Sequence, residues 1–412
     1  VSLDCRHSYV VSLVQRLMHH QRSRRRDKSS FCSFGWNLVQ SWSCIRGRPL
    51  QQIRIFQQQR DRSRQRTLCE GGPSPVFRTV INLPESVVKF QYTDVLFIIG
   101  SCFSENIGSE LKRRKFSPSV NPFGIQYNPI SINVALQRSL SGSLYSESDL
   151  LKHPESNRLF SFDHHTTFSD LDPGICLSLI NHKLSVAKRS LHEAKYLFIT
   201  LGTAWAFTHT PSGGRIVANC HKLPGNEFER RLLRSEEISR PLIETLQACR
   251  AVNENLNVCI TVSPVRHLKD GFLDNSRSKA HLVAAAHDIV DSLPYASYFP
   301  AYEIMLDDLR DYRFYEDDML HPSGLARAYI WEKLVGAFMH KNSLLLMNRI
   351  ARITQAAEHK PFNPMSRQHQ SFVQKQLQEI RILEAQYPWL DFSEERRSFT
   401  GGLRETDTSL VL

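Results

Sequence analysis

The chain has 412 residues, 41% of them hydrophobic, enough to bury a substantial core in one large domain or two ordinary ones. No apolar run approaches membrane-spanning length, so no membrane span is expected. The formal charge of +11 invites a nucleic-acid reading, yet residues 1–70 hold 14 of the 52 basic and 4 of the 41 acidic residues, leaving 38 against 37 elsewhere, so no nucleic-acid partner is expected for the folded body.

Residues 1–75 read as a disordered basic arm. QRSRRRDK (21–28) and QQQRDRSRQR (57–66) are rich in Arg, Gln and Ser with few periodic apolar positions. The apolar pieces near Val10–Leu17 are broken by Gln15 and Arg16, which argues against a secretory signal. An acid-poor, Arg-rich arm suits an organelle transit peptide; a chain that does not begin with Met equally suits an upstream extension foreign to the native fold. The nine cysteines are odd in number and lack C-x-x-C spacing, which disfavours a zinc ribbon or a disulfide framework and favours reduced thiols in a cytosol-like compartment.

A folded body is expected over residues 76–342. Val95–Gly100 is a continuous apolar run ending in glycine, the pattern of a strand buried inside a parallel sheet. The turn Ser101-Cys102-Phe103-Ser104 follows, and Ile107 and Leu111 open an amphipathic helix for which Ser104 is the expected N-cap. Asn121-Pro122-Phe123-Gly124 signals a loop, and 132–140 and 175–193 have helical periodicity. Further strands are expected at 196–201, ending at Gly202-Thr203, at 258–262, ending at Ser263-Pro264, and at 298–304, with helices at 276–292 and 325–340. Strands alternating with helices imply an α/β fold with a mostly parallel sheet and helices on both faces. Residues 343–412, broken at Pro361 and Pro364, read as a helical C-terminal extension.

In such a sheet, ligands bind beyond the carboxyl ends of the strands. Gly100-Ser101-Cys102, Gly202-Thr203-Ala204 and Ser263-Pro264-Val265-Arg266-His267 all fall there. Ser101 and Cys102 are nucleophile candidates, because a helix N-terminus supports a developing negative charge, with Ser101 reading first as a turn or capping residue. Asp318 stands three residues before His321 in the loop leading to the last helix of the body, so a carboxylate can fix the tautomer of a catalytic imidazole. Arg266 and His267, with Lys269, could hold an anionic substrate group or form a solvated strand-end cluster. His164-His165 and Cys220-His221 lack metal-ligand spacing and read as loop residues, so no metal and no cofactor is expected.

The string Gly100-Ser101-Cys102-Phe103-Ser104, with NPFGIQYNP (121–129), FITLGTAW (198–205), ANCHK (218–222), SPVRHLKDG (263–271) and NSRSKA (275–280), resembles the GSCFA family over about residues 77–395. GSCFA proteins resemble SGNH (GDSL-type) hydrolases, which implies a three-layer α/β/α sandwich. The resemblance aligns Cys102 with the nucleophilic serine of the Gly-Asp-Ser block, and Ser101 with its Asp. It aligns Asp318 and His321 with the Asp-x-x-His block, continued by HPSGLARAYIWEKL. The oxyanion-hole Asn of the third block has no counterpart in Gly202-Thr203-Ala204; Gly124 could fill the second block's glycine role and Asn121 the missing donor. A thiolate beside His321 at a helix N-terminus would have a lowered pKa. The expected function is an esterase or acyl transferase acting on a small-molecule or glycan ester. The alternative is a catalytically degenerate domain that binds such a molecule without turnover.

Overall fold

A computed structural model describes residues 78–401. The expected basic arm, residues 1–75, lies outside the described residues, as does the chain beyond residue 401.

The apolar run forms β1 (Val95–Gly100), followed by α1 (Cys102–Arg113), a two-residue β2 (Ser119–Val120) and α2 (Pro129–Ser141). A short antiparallel pair, β3 (Leu151–Lys152) and β4 (Leu159–Phe160), precedes α3 (Pro173–Glu193) and β5 (Ala194–Leu201). Next come β6 (Trp205–His209), β7 (Arg215–Val217) and β8 (Phe228–Leu232), which form a separate antiparallel sheet in the order β7-β6-β8. The body closes with α4 (Ser235–Val252), β9 (Asn257–Val262), α5 (Phe272–Ser292), β10 (Ala296–Phe299) and α6 (Gly324–Phe338). Beyond it lie α7 (Lys341–Glu358), α8 (Arg367–Gln386) and α9 (Ser393–Thr400).

The main sheet runs β10-β9-β5-β1-β2, all parallel. From β1 the chain steps outward to β2, then crosses back to β5 on the other side of β1. That reversal makes the carboxyl ends of β1 and β5 the topological switch point, where an open α/β sheet leaves a crevice.

Side chains alternate across the strands, and both faces are covered. Phe97, Ile99, Leu197, Ile199, Val258 and Ile260 pack under α2, α3, α4 and α5. Leu96, Ile98, Phe198, Cys259 and Phe299 pack under α1 and α6. This is the expected α/β/α sandwich, with strands apolar on both sides because both sides are interior.

Several expectations are corrected. The last strand ends at Phe299, because Pro300 has no N–H to continue the ladder and residues 301–308 coil into helical and π turns. The N-cap of α1 is Ser101, whose Oγ accepts from the Phe103 N–H, and the helix begins at Cys102, two residues before the expected cap. The β6-β7-β8 sheet and α4 carried no expectation from the sequence.

Candidate active site

Gly100 ends β1 with φ +138°, and a Cβ there would run into the backbone of Thr200 on β5. The close approach of the two strands turns the chain sharply, so that Ser101 caps α1 and Cys102 is its first residue. Cys102 is half-buried, and its own N–H heads a helix whose first turn has no intrahelical acceptors. Ser101 is buried, its hydroxyl engaged in the cap.

The other strand ends converge on the same edge. Ser263, after β9, donates its N–H to Leu201 O, and Ser101 donates its own to Thr200 O. The loop carrying Asp318 and His321 docks on the segment after β9. Arg266 donates its backbone N–H to Leu320 O at 3.1 Å and a guanidinium N–H to Met319 O at 3.3 Å. Its guanidinium also lies 3.9 Å from the Tyr315 ring centre. Arg266 is thus a tie between two loops, as well as a cation at the edge. His267 donates its N–H to Asn275, and its ring faces that of Tyr127 at 6.3 Å.

Asp318 and His321 form a bonded pair. The imidazole Nδ1 lies 2.6 Å from Asp318 Oδ2, while Oδ1 accepts the N–H groups of Leu320 and His321. The His321 backbone N–H foremost, then its ring and the Leu320 N–H, hold the Asp318 carboxyl down at about 2, so it is ionised at any working pH. Met319, between them, takes φ +58°, a left-handed conformation that a non-glycine residue adopts only under local constraint. Among the described residues, His321 makes no hydrogen bond to Cys102 or Ser101.

The expected oxyanion donors are all used by the scaffold. Asn121 Oδ1 accepts from Gly100 N–H and its Nδ2 donates to Glu105, so its carboxamide braces the β1 turn. Gly124 donates its N–H to Asn121 O and packs against His165. The N–H groups of Gly202 and Thr203 both go to Tyr127 O, and the Thr203 hydroxyl pairs with Ser278 at 3.0 Å.

The expected lowering of the Cys102 pKa is also corrected. Burial, the largest influence, pushes the thiol up; the main opposing influence is the charge of Lys279, followed by the N–H groups of Cys102 and Phe103. Lys279 carried no expectation. The signal was nevertheless present: it sits three and seven residues before Leu282 and Ala286, on the apolar stripe of α5, where a lysine is out of place.

His164-His165 and Cys220-His221 lie in loops, as expected, but two of the histidines are buried. His164 is buried against the rings of Phe123 and Tyr145, with neither nitrogen hydrogen-bonded, and burial foremost pushes its pKa down to about 3. His221 is buried too, its Nε2 donating to Ser161 O. Among the described residues, no group of three or more His, Cys, Asp or Glu could hold a metal ion, and no helix is long and apolar enough to cross a membrane.

Comparison with known proteins adds the following. Residues 95–334 match the GSCFA family, and residues 350–405 match the C-terminal domain of GSCFA domain proteins. No curated protein matches the chain. Among solved structures, similarity is found to a protein assigned as a GDSL-like lipase from Parabacteroides merdae, 13% identical over 62% of this chain and 100% of that one, with a TM-score of 0.32. It is found also to an acetyl xylan esterase from Butyrivibrio proteoclasticus, 11% identical over 62% of this chain and 65% of that one, TM-score 0.33. A carbohydrate esterase family 3 protein from Talaromyces cellulolyticus is 11% identical over 63% of this chain and 99% of that one, TM-score 0.25. These alignments are too loose to transfer an activity. The family match is of another kind, since it spans more than half of the sequence and contains both the Gly-Ser-Cys-Phe turn and the Asp318–His321 loop: the chain belongs to the GSCFA family.

Proposed function

We propose that the protein hydrolyses or transfers the acyl group of a small-molecule or glycan ester, with Cys102 as nucleophile, His321 as general base and acid, and Asp318 as the group that orients the imidazole. One arrangement carries the reading. A half-buried thiol heads α1 at the switch point of the sheet, and a bonded Asp–His pair sits on a loop tied by Arg266 to the end of β9, on the same edge.

The proton of the Cys102 thiol passes to His321, and the thiolate attacks the ester carbonyl carbon, forming a C–S bond as the carbonyl oxygen takes the negative charge. That charge develops beside the Cys102 N–H and the N-terminus of α1. The intermediate collapses, the C–O bond breaks, and the leaving alkoxide takes a proton from the imidazolium of His321. Water, or an acceptor alcohol, then attacks the thioester while His321 removes its proton, and the thiolate is released.

The test is hydrolysis of an activated aryl ester by wild type, Cys102→Ala and His321→Ala. Each variant is expected to lose about 10²–10⁴-fold in kcat/KM with its melting temperature preserved. Turnover left intact in both would overturn the assignment. A second reading, binding without turnover, is favoured by the engagement of Asn121, Gly124, Gly202 and Thr203 within the scaffold. It predicts saturable binding of an acetylated glycan that is indifferent to Cys102→Ala, with no acyl-enzyme detectable by mass spectrometry.

A further inference from the structure

Lys279 is the least expected residue at the carboxyl edge of the sheet. Its side chain is only 1% exposed, on the face of α5 that packs against the sheet. Its ammonium donates to Gly202 O at 2.8 Å and to Ser263 O at 2.7 Å, the carbonyls that follow β5 and β9. No carboxylate pairs with it among the described residues. An ammonium has three N–H donors, and these two carbonyls use two. A charge buried without a counter-ion is costly, whereas an uncharged side chain could fill the same space. Gly202 ties the ammonium to the nucleophile turn: its carbonyl accepts from Lys279, and a Cβ built on it would lie 3.1 Å from the Ser101 Cβ, the residue before Cys102. The thiol of Cys102 accordingly favours the charged form of Lys279, and the ammonium the thiolate.

We propose that the Lys279 ammonium, held between the ends of β5 and β9, is the counter-charge that stabilises the Cys102 thiolate. Lys279 then acts through the nucleophile and is a positioning residue, while His321 moves the protons. The thiol is faced by Lys279 from α5, by Glu105 from its own helix, which opposes ionisation, and by Tyr127 from the loop before α2. Lys279 is faced by Cys102 and by the Tyr302 ring, 5.6 Å from the ammonium. Burial penalises both charged forms, driving the lysine down to about 7 and the thiol up, and each charge works against that penalty on the other.

This inference rests on Cys102 being the nucleophile, but its test reads the thiol itself, so failed ester turnover and a failed ion pair are told apart. The pH dependence of iodoacetamide alkylation at Cys102, followed by peptide mass spectrometry, is measured in wild type, Lys279→Met, Lys279→Arg and His321→Ala. Lys279→Met is expected to raise the midpoint by about one pH unit or more, slowing alkylation at pH 7 about tenfold. Lys279→Arg keeps the charge and is expected to restore most of the rate, and His321→Ala to leave the midpoint in place. A midpoint in Lys279→Met equal to that of wild type overturns the proposal, as does a midpoint moved by His321→Ala alone. Lys279→Met orphans two carbonyls and could fail to fold. In that case the reciprocal experiment decides: the ¹³Cε resonance of Lys279, identified by its loss in Lys279→Arg, is titrated with and without Cys102→Ala. Removal of the thiol is expected to lower the lysine midpoint by about one unit; an unmoved midpoint overturns the proposal.

Discussion

Two kinds of titrating residue meet in this fold, and they answer to different physics. Asp318 is exposed, and its carboxylate is held ionised by backbone N–H donors, so it lends orientation to His321 without titrating in the working range. His164 is the opposite, a buried ring near the charges of His221, Arg138 and Arg215, with no hydrogen bond to reward protonation. Its folded pKa of about 3 lies below the ordinary 6.5, so the unfolded chain binds the proton first. The sign follows: the contribution is fully present above pH 6.5 and is lost as the pH falls toward 3. His164 alone is expected to withdraw about 2 kcal/mol between pH 7 and pH 5. Urea unfolding at the two pH values measures it, with His164→Phe placing a third ring against those of Phe123 and Tyr145. The variant should lose stability less steeply on acidification than wild type; equal slopes in the two proteins would assign the loss to other groups, His221 first.

The turn after β1 is where an element becomes a site, and Gly100 is its critical position. With φ +138° and its Cα facing the Thr200 carbonyl, any side chain there forces β1 and β5 apart. Gly100→Ala is expected to cost about 2–5 kcal/mol, seen as a lower urea midpoint, and wild-type stability in that variant would contradict the close packing of the two strands. This turn was legible in the sequence because β1, β5 and β9 lie inside a parallel sheet, and strands covered on both faces read as unbroken apolar runs. The small antiparallel sheet was not, since β8 carries Glu229, Arg230 and Arg231 in five residues and has little apolar alternation. Helix α4 does carry Ile238, Leu242, Leu246 and Cys249 on one face, but Pro241 inside it reads as a break. The α/β/α architecture and the Asp318–His321 pair were foreseen because each depends on neighbours in sequence. The roles of Asn121, Arg266 and Lys279 were not, because each is set by which loop lies across from it, and only the crossover connections decide that.

At the scale of the whole body, the C-terminal helices bear on the same helix that presents Cys102, but at its other end. They have their own apolar core of Leu346, Ile350, Leu377, Ile380, Leu383 and Phe392. They reach the sheet domain where α1 finishes. Tyr92 stacks on Phe116 at 3.8 Å and meets Trp389 at 5.0 Å, while Lys115 pairs with the largely buried Glu395 at 2.8 Å and lies 5.3 Å from the Phe392 ring centre. α7–α9 thus pack on the chain just after α1, through Lys115 and through Tyr92 stacked on Phe116. Phe392 is fully buried, and Phe392→Ala should cost about 3–5 kcal/mol in the helical unit. Amide hydrogen exchange in that variant is expected to speed up in α7–α9 and also across residues 110–116, while β1 and β5, enclosed on both faces, keep their protection. Faster exchange confined to α7–α9 would mean that the helical unit rests against α1 without holding it. Cys102 alkylation measured on the same sample extends the argument to the site, because a thiol poised by packing at both ends of its helix should change its rate when one end is released.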